Sequence, residues 1–162
     1  MFIYIARHAW AYEFGDPRWP DDSQRPLEEA RRERYARVVA RLAEAGFAPQ
    51  AIATSPYARC VETAELIAAG TAHEPEVVRL EALAPGSDFD ELTAWTRSLE
   101  VDSACWVGHA PDVSFLAGEL IGRRNANLRF AKGAVAAVSL WEAPGPDSGE
   151  LHWLATAKLL GL

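Results

Sequence analysis

The sequence has no apolar run that approaches the length of about 20 residues that a membrane-spanning helix needs. Its N-terminus lacks a basic segment followed by an apolar segment and a cleavage site, so no secretory signal is expected. The sequence has few cysteines: Cys60 and Cys105 are the only two among 162 residues. Two cysteines do not make the disulfide framework of a small secreted domain, and we therefore expect a cytoplasmic protein.

Positive charge is scarce as well. Lys and Arg number 16 against 23 Asp and Glu, which gives a net charge of −7. This balance argues against a general nucleic-acid-binding protein. A site for an anion must therefore be a local positive pocket in an acidic molecule.

The motifs that hold metals and nucleotides are missing. The four histidines (His8, His73, His109 and His152) form no His-x-x-x-His pair and accompany no Cys-x-x-Cys. The glycines form neither Gly-x-x-x-x-Gly-Lys nor Gly-x-Gly-x-x-Gly, so no loop for a nucleotide is present. We expect neither a metal nor a cofactor.

Apolar runs alternate with helical patterns along the chain, which is typical of an α/β protein. The predicted strands cover residues 1–5, 51–54, 76–80, 104–107, 134–141 and 151–157. The predicted helices cover residues 27–46, 56–69, 88–98 and 111–121. We expect one domain over residues 1–162, with three α/β/α layers around a mainly parallel sheet. The polar, proline-rich stretch 10–25 is too long for an idle connection and is predicted to lie over a site.

Three of the predicted strands end in side chains that carry chemistry. The first ends in Arg7-His8, the 104–107 strand ends in Gly108-His109, and the strand 51–54 leads to Arg59. Ligands of open α/β sheets bind at this end of the strands. Two arginines and two histidines gathered there repel one another unless an anion lies among them, and a phosphoryl group fits.

Ser55-Pro56 is predicted to start the second helix, with Ser55 as N-cap and Pro56 at the first helical position. Arg59 would then lie near the first turn, beside unpaired backbone N–H groups that favour anions.

These motifs, taken in order, resemble those of the histidine phosphatase superfamily, which has the phosphoglycerate mutase-like fold. The resemblance is carried by Arg7-His8, Ser55-Pro-x-x-Arg59-x-x-x-Thr63-Ala64 and Gly108-His109. Three further segments resemble SixA-type phosphohistidine phosphatases: Arg25-Pro26-Leu27, Leu83-Ala-Pro85-Gly86 and Lys132-Gly133-Ala134-Val135.

The resemblance implies that His8 is a nucleophile that carries a transient phosphohistidine. It also implies that Arg7, Arg59 and His109 hold the phosphate oxygens, and that Arg25 is a further contact to phosphate or substrate. A neutral imidazole is a competent nucleophile, and phosphoryl transfer depends mostly on positioning and electrostatic stabilisation.

The chain departs from the family at the acid that protonates an ester's leaving oxygen. Many members have Leu-x-Glu there, whereas this chain has Leu83-Ala84-Pro85. Because a leaving imidazole needs less acid help than an alkoxide, the departure favours phosphohistidine in a signalling protein as substrate. Two alternatives stay open: a phosphatase of small phosphorylated metabolites with Asp88 or Asp90 as general acid, and a catalytically silent phosphate-binding protein.

Two further segments allow more than one interpretation. The basic run from Arg31 to Arg37 is either an ion-paired helix face, with Glu28/Arg32 and Glu33/Arg37 at i, i+4, or a docking strip for an acidic phosphoprotein. The aromatic residues between Trp10 and Trp19 either form a lid or partner surface, or pack the loop down. Cys60 beside Arg59 is interpreted as a packed helix residue rather than a reactive thiol.

Overall fold

Six strands form one sheet in a computed structural model that describes residues 1–162. The strands are β1 Phe2–Arg7, β2 Ala51–Thr54, β3 Val77–Arg79, β4 Ser103–Gly108, β5 Val135–Leu140 and β6 Gly149–Ala155. The α-helices are α1 Glu29–Glu44, α2 Ala58–Gly70, α3 Phe89–Arg97 and α4 Asp112–Leu120. Two short 3-10 helices cover Asp22–Gln24 and Glu81–Leu83. No helix has the length and apolar character required to span a bilayer.

The sheet is mainly parallel, as predicted. Its strand order is β3-β2-β4-β1-β5-β6, with parallel pairing from β3 to β1 and antiparallel pairing of β5 with both neighbours. Arg7 lies opposite Gly108, and Thr54 lies opposite Val107. Strands β1, β2 and β4 therefore end at the same level, and the residues that follow them leave one edge together.

Helices cover both faces of the sheet, which makes the three predicted layers. Because side chains alternate along a strand, Ile3 and Ile5 of β1 join the core under α3 and α4, whereas Tyr4 and Ala6 join the core under α1 and α2. Trp106 of β4 is fully buried, and its indole N–H donates to Thr96 Oγ1 of α3 at 3.0 Å. Each strand end is thus fixed from both sides.

The start of α2 corrects the sequence prediction. The helix begins at Ala58 after Tyr57, and no side chain caps its first turn. The prediction that Ser55 is the N-cap and Pro56 the first helical residue is wrong. The Ser55 hydroxyl is engaged by His109 instead, and Tyr57 keeps extended backbone angles.

Other element bounds differ by a few residues. The first helix is shorter than 27–46, because Leu27 pairs with Ala11 in an isolated bridge and Glu28 precedes the helix. The last strand begins at Gly149 rather than Leu151 and contains an irregularity opposite Ala137 and Val138. Helix α4 begins one residue after Pro111.

The basic run on α1 is largely ion-paired. Glu33 binds Arg37 at 3.1 Å as predicted, but the predicted Glu28/Arg32 pair is wrong. Arg31 forms an ion pair with Glu28 at 3.3 Å, and Arg32 forms one with Glu62 of the neighbouring α2 at 2.9 Å. The spacing of residues within α1 does not reveal that α2 packs beside it. This packing brings Arg32 to the carboxylate of Glu62, which is less exposed than that of Glu28.

The aromatic residues of the long loop pack in different ways. The rings of Tyr12 and Trp19 stack at 4.7 Å, and the Arg18 guanidinium lies over both. Phe14 is 82% exposed, whereas Trp10 lies under the guanidinium of Arg34 at 4.2 Å. Tyr12, Arg18 and Trp19 therefore pack on one another within the loop, whereas Phe14 projects into solvent.

Candidate active site

The ends of β1, β2 and β4 bring together His8, Arg7, Arg59 and His109, which we call the strand-end cluster. The imidazole rings of His8 and His109 meet edge to face with centroids 5.5 Å apart. The backbone N–H of His8 donates to Gly108 O at 3.0 Å, which ties the end of β1 to the end of β4. The structure thus gathers the four residues that the sequence placed at three separate strand ends.

The tautomer of His8 follows from its hydrogen bond. Its Nδ1 lies 2.8 Å from Ala9 O. Since a carbonyl oxygen only accepts, Nδ1 carries the proton and Nε2 keeps its lone pair. Burial lowers the pKa of His8 to about 3, and the positive charges of Arg59 and Arg7 act in the same direction. His8 is therefore a neutral imidazole with a free ring nitrogen.

His109 is held in the opposite tautomer. Its Nε2 lies 2.8 Å from Ser55 Oγ, and its Nδ1 lies 3.4 Å from a terminal nitrogen of Arg59. Because a guanidinium only donates, Nδ1 accepts, and Nε2–H donates to Ser55. Burial lowers the pKa of His109 to about 4, with the charge of Arg59 adding to the effect. Tyr57 packs its ring against the same imidazole with centroids 5.0 Å apart.

Asp22, in the long loop 10–25, orients Arg59 of the cluster and Arg25 of the same loop. Arg59 donates to the Asp22 backbone oxygen at 2.8 Å and to its carboxylate at 3.0 Å. Arg25 donates to the other carboxylate oxygen at 2.7 Å and to Tyr12 O at 2.6 Å. Burial opposes the charged carboxylate, but Arg25 and Arg59 hold the pKa of Asp22 below its usual range. Arg25 therefore reaches the cluster through Asp22 rather than directly.

Two buried guanidinium N–H groups lack an acceptor within the protein. They are the Nε groups of Arg7 and Arg59. The only side-chain hydrogen bond of Arg7 goes to Phe130 O at 2.8 Å, and burial lowers the pKa of this arginine. An unsatisfied buried donor costs about 1–3 kcal/mol, so the cluster is suited to an anion that supplies oxygen acceptors.

Thr63 fixes α2 against the residues that follow β1. Its hydroxyl accepts from the Ala9 backbone N–H at 3.0 Å and donates to Arg59 O at 2.6 Å. One side chain thus connects the residue after His8 to the residue that carries the guanidinium. The orientation of Arg59 relative to His8 depends on this link.

Cys60 lies against His109 but is a packed residue. Its Sγ is 3.5 Å from His109 Nε2, and the side chain is fully buried. Burial raises the pKa of Cys60 to about 12, so the thiol stays protonated near neutral pH and is a poor nucleophile.

Neither of the two candidate acids, Asp88 and Asp90, forms a hydrogen bond with a residue of the cluster. Asp88 caps α3 by accepting from the Glu91 N–H at 2.9 Å. Both aspartates line a separate cavity of about 300 Å³ together with Glu119. Leu83, which begins the segment where many family members have Leu-x-Glu, packs against Gly108 next to His109. No group of three or more His, Cys, Asp or Glu side chains is arranged to hold a metal ion.

Sequence reasoning missed Ser55 and Asp22 as members of the site. The Ser-Pro context of Ser55 predicts a helix N-cap instead. Asp22 is three residues before Arg25 in the loop that is predicted to cover a site, and this spacing indicates an ion pair between the two. Its bond to Arg59 spans 37 positions and depends on how the loop folds back.

The fold and the cluster define an α/β protein with two histidines and two arginines gathered at its strand ends. The family model of the histidine phosphatase superfamily (branch 1) matches residues 3–121. The chain belongs to this superfamily, and the predicted enzyme class, a histidine-type phosphatase, is confirmed.

Individual relatives agree with this assignment. An uncharacterized protein of Picosynechococcus sp. is 30% identical over 140 residues, which covers 83% of this chain and 82% of the relative. The protein histidine phosphatase SixA, solved with tungstate, superposes with a TM-score of 0.83 at 23% identity and covers 99% of both chains. The α-ribazole phosphatase of Shigella flexneri superposes with a TM-score of 0.66 at 13% identity and covers 97% of both chains. The predicted phosphoglycerate mutase-like fold is confirmed.

The tautomer and the low pKa of His8 give a testable prediction. Between pH 7 and pH 5 the imidazole of His8 should stay neutral, whereas an ordinary histidine with a pKa near 6.5 becomes almost fully protonated. We expect ¹⁵N NMR to show a protonated Nδ1 and a bare Nε2 across this range, with the signal assigned by its loss in His8→Ala. A titration midpoint near 6.5 would contradict the assigned environment.

Proposed function

We propose that the protein is a metal-independent phosphatase that acts through a phosphohistidine on His8. We further propose that its substrate is phosphohistidine in a signalling protein. The observation that carries the proposal is the bare Nε2 of a neutral His8 beside guanidinium groups that have free donors. A lone pair next to an anion site is what attack on phosphorus requires.

The reaction has two steps. His8 Nε2 attacks phosphorus, the bond from phosphorus to the substrate nitrogen breaks, and the leaving imidazole takes a proton from water. A second water then attacks the phosphoryl group on His8, which releases phosphate and regenerates the neutral ring. Arg7 and Arg59 would hold the phosphoryl oxygens through both steps, and their guanidinium groups supply the positive charge that a metal supplies elsewhere. His109 would join them only by turning its Nε2–H from Ser55 Oγ to a phosphoryl oxygen.

The substrate class follows from the leaving group. An alkoxide leaves poorly without a general acid, whose contribution is typically 10²–10⁴-fold. This chain has Leu83-Ala84-Pro85 where many family members have Leu-x-Glu, and Asp88 and Asp90 line another cavity. Imidazole leaves with a proton from solvent, so a phosphoramidate suits this site better than a sugar phosphate.

The nucleophile is tested by trapping. After brief incubation with a ³²P-labelled phosphorylated histidine domain, the unmodified protein should carry acid-labile, base-stable phosphate. His8→Ala should carry none and should lose at least about 100-fold in rate, because covalent catalysis is gone. Cys60→Ala, a neighbour without a chemical role, serves as the control and should label normally. Undiminished phosphate release by His8→Ala would refute the nucleophile, and release by neither protein would favour a silent phosphate-binding protein.

The substrate class is tested by comparing leaving groups. We expect kcat/KM for a phosphorylated histidine domain to exceed that for sugar phosphates by about 100-fold or more, as expected for a site without a general acid. Asp88→Asn and Asp90→Asn should leave both rates within about twofold, since Asn also caps a helix well. A loss of about 100-fold on sugar phosphates in either variant would instead establish the phosphomonoesterase alternative.

A further inference from the structure

A basic cavity of about 400 Å³ lies beside the strand-end cluster. Its lining includes Arg34, Arg129, Lys132 and Lys158, with Trp10 as an aromatic wall, and contains no Asp or Glu. Both lysines of the chain are among these residues. In a molecule with a net charge of −7, four cations without a carboxylate form a local reversal of charge.

Three of these four cations have no ionic partner within the chain. Arg129, Lys132 and Lys158 are exposed and take part in none of the ion pairs of the chain. Arg34 stacks on Trp10 and donates to Leu162 O at 2.9 Å. The other arginines of the α1 run are paired with Glu28, Glu62 and Glu33, so Arg34 is the residue of the run that lines the cavity.

The cavity is tied directly to the nucleophile. Phe130, next to Arg129, accepts the hydrogen bond of Arg7, and the Gly133 N–H donates to His8 O at 3.0 Å. Trp10 is two residues after His8, and two residues span at most about 7 Å. The groups that flank a phosphoryl group bound at His8 can therefore reach the cavity.

We propose that this basic cavity binds carboxylate side chains of the phosphorylated partner protein, on the surface that flanks its phosphohistidine. The proposal rests on the proposed function and names the partner's chemistry. On a partner helix, residues one turn from the phosphohistidine lie about 5.4 Å along the axis, which is within the limit of about 7 Å that two residues set between Trp10 and His8. A cavity of this volume accommodates several side chains, and the Trp10 wall suits their aliphatic parts.

The docking surface thus differs from the strip that the sequence suggested. A docking strip from Arg31 to Arg37 requires arginines that are free to bind a partner. The structure instead pairs Arg31, Arg32 and Arg37 with carboxylates of the chain itself. The free cations come instead from the segments around residues 129–132 and 156–158, which join Arg34 at the cavity.

The test measures binding and does not require turnover. Two peptides carry a stable triazole phosphonate mimic of phosphohistidine and differ only in having Glu or Gln one turn on either side of it. Fluorescence anisotropy in 50 mM salt should give about tenfold tighter binding of the Glu peptide to the unmodified protein, because several exposed ion pairs add together. The preference should shrink in 500 mM salt, where charges are screened within a few ångströms.

The variant Lys132→Glu/Lys158→Glu should lose the preference for the Glu peptide, with the two affinities within about twofold. The matched control Arg97→Glu/Arg123→Glu makes the same change in net charge at two exposed arginines outside the cavity and without ion pairs, and should keep the preference. Both variants should hydrolyse a small aryl phosphate at the unmodified rate, which shows that they are folded.

Equal binding of the two peptides to the unmodified protein, or a preference that survives Lys132→Glu/Lys158→Glu, would overturn the docking proposal. The proposed function fails by a different result. If the Glu preference is present and depends on the lysines while a phosphorylated histidine domain is not hydrolysed, docking stands and phosphohistidine phosphatase activity does not.

Discussion

The site depends on keeping two imidazoles neutral among guanidinium groups. His8 and His109 are buried side by side with Arg7 and Arg59, and protonation of either ring would add a further positive charge in a desolvated place. Each ring is also fixed in one tautomer, by Ala9 O for His8 and by Ser55 and Arg59 for His109. The cluster therefore combines a high density of positive charge with a nitrogen lone pair, and only an anionic electrophile meets both.

Asp22 offsets part of the repulsion among the cations at the strand ends. Its carboxylate and backbone oxygen together take three donors from Arg25 and Arg59. It leaves the Nε groups of Arg7 and Arg59 free. Asp22 thus acts as a positioning residue that orients Arg59, while Thr63 fixes the same helix against Ala9.

Much of this arrangement could be predicted from the sequence, because it depends on patterns among residues that are close together in the chain. Buried apolar runs ending in Arg7-His8 and Gly108-His109 predict parallel strands, and parallel strands place their ends at one edge. Contacts that depend on the path of a loop could not be predicted in the same way. Asp22 reaches Arg59 only because stretch 10–25 folds back, and Ser55 binds His109 rather than capping α2 because β2 and β4 end at one level. The pairing of Arg32 with Glu62 likewise depends on helix packing and not on spacing along α1.

The most direct test of the central claim is a crystal structure with tungstate, which stands in for the phosphoryl group. The account predicts the anion beside His8 Nε2, with its oxygens accepting from the Nε groups of Arg7 and Arg59. Tungstate found only away from these groups, for example in the basic cavity near Lys132, would contradict the view that the strand-end cluster is a phosphoryl site.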